Sequence, residues 1–102
     1  MSRIAEEHDS IIITPDKDVV ASMAEDFNAE LHTLIQKMPG EITIDLTNVK
    51  IVDSIGIGVL ITAHNSLSKF EGKLIVINAT PNIYRLFTTM RLDRHFAVES
   101  AD

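Results

Sequence analysis

The chain has no cysteine, no tryptophan, a single tyrosine, and only nine lysines and arginines in 102 residues. Without cysteine there is no disulfide, no thiol nucleophile and no cysteine-ligated metal site. Long apolar runs are missing too. No stretch approaches the roughly 18 residues that a membrane-spanning helix needs. The opening Met1-Ser2-Arg3-Ile4-Ala5-Glu6-Glu7 lacks the apolar core of a secretion signal. These absences set the expectation of a cytoplasmic protein. Positive charge is scarce: the formal net charge is -6, which works against long-range attraction to nucleic acid or anionic lipid. Arg85, Arg91 and Arg94 form the one local basic cluster, and it reads as a solvated face with ordinary ion pairs. His8, His32, His64 and His95 show no close ligand spacing, so no metal site is expected.

What is present is an ordinary globular composition, 45% hydrophobic and 24% charged. That length favours one domain, 1–102, with an ordered core over about 10–98. Residues 1–10 read as polar and loose, with a short strand near Arg3–Ala5. Ile11-Ile12-Ile13 is a β-branched strand stopped by Pro15. Asp18 reads as the N-cap of a helix of about five turns, whose stripe is Val20, Met23, Phe27, Leu31 and Leu34. Pro39-Gly40 ends it.

Glu41–Leu46 alternates polar and apolar residues, as a strand does. A second helix is expected from Ser54 or Ile55 to about Phe70, with a wide apolar arc and a break at Glu71-Gly72. Lys73–Asn78 reads as a central strand buried on both faces. Thr80-Pro81 opens a third helix, with threonine as cap and proline in the first turn. Leu92, Phe96 and Val98 place a short final strand against the sheet. Alternating strands and helices imply right-handed crossovers and a mainly parallel sheet. The expected fold is α/β, a mostly parallel sheet of about four strands with three to four helices packed against it.

Only one run carries chemical promise: Asp53-Ser54-Ile55-Gly56-Ile57-Gly58, at a strand-to-helix turn. Ser54 reads as the natural cap of the helix that follows. Gly56 and Gly58 strip side-chain bulk from the turn. A helix N-terminus exposes unpaired amides and partial positive charge, so a phosphate on Ser54 would be well received there. Phosphate and Asp53 together would carry about three negative charges. On physics alone a plain capping serine is the simpler reading, because such caps are common.

Other chemistries fit less well. The run lacks the Gly-Lys-Ser/Thr ending of a phosphate-binding loop. It also lacks the third glycine of a dinucleotide fingerprint, since Ile61 stands there, and the Gly-x-Ser-x-Gly of a nucleophile elbow. His64 lies ten residues beyond Ser54 on the same helix, roughly 15 Å along its axis, too far to activate it. No catalytic residue is assigned, and no cofactor is called for. Asp18 ends an earlier strand on the rim that Ser54 occupies, so the two are expected to be neighbours.

The stretch from Ile42 through Asp45-Leu46-Thr47-Asn48 to Asp53-Ser54-Ile55-Gly56-Ile57-Gly58 resembles the anti-sigma factor antagonist family of STAS domains. That family pattern is a strand ending in Asp-Leu, a short connection, then Asp-Ser-Ser/Thr-Gly-Leu/Ile-Gly/Ala. Thr80-Pro81 and Leu92-Asp93-Arg94-His95-Phe96 fit its later segments, so the likeness spans about residues 10 to 98. Ile55 departs from it, standing where Ser or Thr is usual.

The resemblance implies a partner-switching protein with no enzymatic activity of its own. Ser54 would be the phosphorylated serine. Asp18, Asp53, Ile55, Gly56 and Gly58 would form the phosphosite environment and partner contact. The implied partners are an anti-sigma factor serine kinase and a serine phosphatase, with room for a weak homodimer. A phosphorylation-independent STAS module of a transporter, lipid-trafficking or signalling complex is the alternative. A small enzyme or nucleotide binder is a more distant one.

Overall fold

The structure, a computed structural model, describes residues 2–101. Strands β1 (Arg3–Glu7) and β2 (Ser10–Thr14) form a hairpin. Its two-residue turn, His8-Asp9, places His8 at a positive φ of 55°. Then follow α1 (Ala21–Ile35), β3 (Glu41–Asp45), α2 (Ser54–Ser68), β4 (Lys73–Ala79), α3 (Pro81–Thr89), a 3-10 turn (Leu92–Arg94) and β5 (Ala97–Ser100). The strands lie side by side in sequence order, β1-β2-β3-β4-β5. Only the β1–β2 pair is antiparallel.

This order decides where the helices go. Each parallel pair is joined by one helix, and each crossover steps the same way across the sheet. Right-handed connections then put α1, α2 and α3 on one face. Burial follows. Ile11 and Ile13 of β2, Ile42 and Ile44 of β3, and Leu74 and Val76 of β4 are buried towards the helices. Phe27, Leu31 and Leu34 of α1, Leu60 and Leu67 of α2, and Phe87 of α3 meet them there. Ile12, between two buried isoleucines, is 42% exposed. The reading of β4 as buried on both faces is therefore corrected. Ile75 and Ile77 alternate with Leu74 and Val76 and are only partly covered, because no helix crosses to their side.

The edge strand β1 is fully exposed along its length, which explains its faint hydrophobic signal. Pairing with β2 holds it, and Glu6 and Lys37 tie it to the end of α1 at 2.9 Å. The third helix starts as read: Thr80 caps it, accepting from the Ile83 amide, and Pro81 follows. α2 ends through Glu71, in a left-handed conformation with φ 67°, and the Gly72 amide donates back to the Leu67 carbonyl.

Candidate functional site

The site lies where the chain leaves β3 and enters α2. Asp45 shapes the exit. Its Oδ1 accepts from the Thr47 amide at 3.0 Å and from the Asn78 side-chain amide at 2.9 Å. This turns the chain out of the sheet at Thr47-Asn48. The chain then returns over the rim and Val52 pairs with Val19 in an isolated parallel bridge. Around that bridge the Val19 amide donates to the Ile51 carbonyl (3.0 Å), and the Asp53 amide donates to the Val19 carbonyl (3.2 Å). The segment before α1 and the segment before α2 are thus laced together.

Two aspartates complete the lacing, in roles different from those expected. Asp18 does not cap α1. That helix begins at Ala21, and the residue at its N-cap, Val20, has no side-chain acceptor. Instead Asp18 Oδ1 accepts from the amides of Lys50 (2.8 Å) and Ile51 (3.1 Å), clamping the approach to Ser54. Ser54 is not the cap of α2 either. Asp53 is: its backbone is extended (φ -98°, ψ -179°) and its Oδ1 accepts from the Gly56 amide at 2.8 Å. The other oxygen, Oδ2, accepts from the Ala21 amide at 2.9 Å. One carboxylate therefore closes the N-termini of both α1 and α2.

Ser54 is left as the first residue of α2, exposed, and among the described residues its hydroxyl has no hydrogen-bond partner. The capping job has moved one residue back, so the cap does not use the Ser54 hydroxyl. Of the first-turn amides of α2, that of Gly56 is already taken by Asp53.

The glycines do different work. A Cβ on Gly56 would collide with the Val19 carbonyl oxygen and lie 2.8 Å from Val19 Cγ1. The start of α2 can press against the Val19 backbone only because no side chain intervenes. A Cβ on Gly58 would meet nothing within 4 Å. Exposed isoleucines stand on either side of Ser54 in the chain, with Lys50 also exposed. Ile51 is 57% exposed and Ile55 53%, and Ile61 is exposed two turns along the helix from Ser54. His64 points elsewhere: its ring sits 6.1 Å from that of His95 and 5.7 Å from that of Phe96. Among the described residues no three His, Asp or Glu side chains gather as a metal ion would need.

Hydrogen bonds to the Gly56 and Ala21 amides hold the Asp53 carboxyl below its ordinary value of 3.8. Asp45 is lowered as well: partial burial opposes ionisation, but the bonds from Thr47 and Asn78 outweigh it. Both groups bind protons more weakly folded than unfolded. Their stabilisation is therefore complete above an unfolded pKa near 3.8 and is lost as pH falls through the lower folded values. Thermal melts should show Tm flat from pH 7 to 5 and falling steeply below about pH 4. Asp53→Asn should melt lower at neutral pH and show a shallower acid fall.

The chain belongs to the STAS domain family, whose model matches residues 2–101. Among solved structures it is similar to a Thermotoga maritima protein assigned as an anti-sigma factor antagonist. The TM-score is 0.91 at 21% identity, over 97% of this chain and 86% of that one. It is similar to an anti-sigma factor antagonist from Mycobacterium paratuberculosis, with a TM-score of 0.86 at 18% identity, over 97% and 84%. It is also similar to the Bacillus cell-fate determinant SpoIIAA in its phosphorylated form, with a TM-score of 0.76 at 18% identity, over 96% and 90%. At such identities the likeness concerns the fold. No curated protein sequence matches this chain. Among the described residues no helix is long and apolar enough to cross a membrane.

Proposed function

We propose that this protein is an anti-sigma factor antagonist whose binding to an anti-sigma serine kinase is controlled by phosphorylation of Ser54. The observation that carries the reading is the free, exposed Ser54 hydroxyl on the first turn of α2, held there by Asp53 and Asp18. A kinase needs a hydroxyl that it can reach and that no intramolecular bond occupies. Among the family's structural relatives, SpoIIAA has been solved in a phosphorylated and an unphosphorylated form, consistent with such a switch.

The chain acts by binding and has no reaction of its own. The unmodified form docks the kinase through the surface around Ser54, including Ile51 and Ile55. Phosphate adds charge and bulk in the middle of that surface, and the partner lets go. A serine phosphatase resets the site. Asp18, Asp53 and Gly56 hold the acceptor in place, while Ile55 and Gly58 face the partner. Ile55 in place of a second hydroxyl leaves one acceptor on the turn. Incubation with the serine-kinase anti-sigma factor of the same organism and ATP should add one phosphate, mapped to Ser54 by peptide mass spectrometry. Ser54→Ala should take up none. Phosphate appearing elsewhere, or uptake unchanged in Ser54→Ala, would sink this reading.

A further inference from the structure

With α1, α2 and α3 all on one face, the other face of the sheet has no layer against it. A solvated sheet face is expected to be polar, and the middle of this one is not. The register sets Ala5 beside Ile12, Ile12 beside Thr43, Thr43 beside Ile75 and Ile75 beside Ala97. One row of side chains therefore crosses all five strands without a charge, in the order Ala-Ile-Thr-Ile-Ala. That order reads the same from either edge.

Charged residues stand only in the rows beside it. Towards one end lie Glu7, Ser10, Glu41 and Lys73, in register with one another. Towards the other, Arg3 sits beside Thr14 and Asp45 beside Ile77, while Glu99 follows Ala97 on the same face of β5.

We propose that this face pairs with a second copy of the chain about a two-fold axis parallel to β3. The argument is self-complementarity. Such an axis lays β1 over the other copy's β5, β2 over its β4, and β3 over β3. Ile12 then packs on Ile75 of the second copy, Ala5 on its Ala97, and Thr43 on its Thr43. Charge agrees at the margins. Arg3 comes over Glu99 of the second copy, twice by symmetry, and Ser10 comes over its Lys73. Two contacts oppose: Glu41 and Asp45, both on β3, each meet their own symmetry mates near the axis.

Five strands about 4.8 Å apart and about five residues long give a face of roughly 20 Å by 16 Å. A patch of that size buries on the order of 1,000 Å² in total, the low end for a specific interface. The dimer is therefore of the weak, transient kind. Both copies keep their helices, and both Ser54 sites, on the outside. The pairing goes beyond the Ser54 switch and does not depend on it.

Sedimentation equilibrium of the whole chain from about 10 µM to about 1 mM tests this. Wild type should show a reversible monomer–dimer equilibrium. Ile12→Lys and Ile75→Lys should each be monomeric throughout, and Ile12→Lys, at a position 42% exposed, should melt close to wild type. Arg3→Glu alone and Glu99→Lys alone should each weaken the dimer about tenfold. The double swap should restore most of that loss, and Glu41→Gln should tighten the dimer, neither of which a damaged fold could mimic. Ile55→Lys, on the helix side, should change nothing. A wild type that stays monomeric, a dimer that survives Ile12→Lys with Ile75→Lys, or a swap that restores nothing would overturn the proposal.

Discussion

Gly56→Ala is expected to destabilise the protein by about 2 kcal/mol or more, while Gly58→Ala, two residues further on, stabilises it by up to about 1 kcal/mol. Both residues lie in α2 with helical backbone and neither has a positive φ. Helix propensity alone therefore favours alanine at both. What separates them is the neighbour. At Gly56 the new methyl group would run into the Val19 carbonyl and side chain. That backbone is fixed on both sides: the Val19 carbonyl accepts from Asp53, and the Val19 amide donates to Ile51. Neither partner can yield without breaking the lacing that presents Ser54. At Gly58 the methyl group enters open space. Thermal unfolding of the two variants should move Tm in opposite directions, for a domain of this size roughly 10 °C down and 5 °C up. A Gly56→Ala protein as stable as wild type would mean that the two segments are not in contact.

A negative charge at Ser54 is expected to act on binding and hardly at all on the fold. Ser54→Glu places a carboxylate on the first helical turn, where the helix dipole favours it by a few tenths of a kcal/mol, while Asp53 next door works against it. The two effects are of similar size, so Tm should move by no more than about 3 °C. Binding to the kinase partner should drop by about 100-fold or more, because an apolar surface that fits Ile51 and Ile55 would now enclose an unpaired charge. Isothermal titration against the same kinase separates the two outcomes. Unchanged affinity for Ser54→Glu would show that the partner docks somewhere else.

The sequence carried the helices well because their apolar stripes meet a single core. The Thr80-Pro81 start and the stripe through Phe27, Leu31 and Leu34 lie where periodicity puts them. Strand β1 was barely visible, since an edge strand exposed along its length buries nothing and needs no hydrophobic pattern. The likeness to the STAS family was legible in the Asp53-Ser54 run. The local wiring was not. Asp18 read as a cap and Asp53 as a neighbouring charge, and cap rules look only at residues nearby in the chain. Asp18 instead serves amides 32 and 33 residues away, and Asp53 reaches back 32 residues to Ala21. Nothing in a single sequence reports that two segments so far apart are bridged at Val19 and Val52. A cap at Asp53 in place of Ser54 turns on which side chain points along the helix axis, and adjacent residues of equal capping strength leave that open.

One titration tests the role of the free Ser54 hydroxyl most directly. The chain is prepared unmodified, and then treated with ATP and the anti-sigma serine kinase proposed as its partner. Each form is titrated into that kinase under identical buffer and salt. The unmodified form should bind tightly, affinity should fall by about 100-fold or more on phosphorylation, and it should recover once a serine phosphatase has removed the phosphate from Ser54. Equal affinity of the two forms, or loss of affinity that phosphatase treatment does not reverse, would contradict that role.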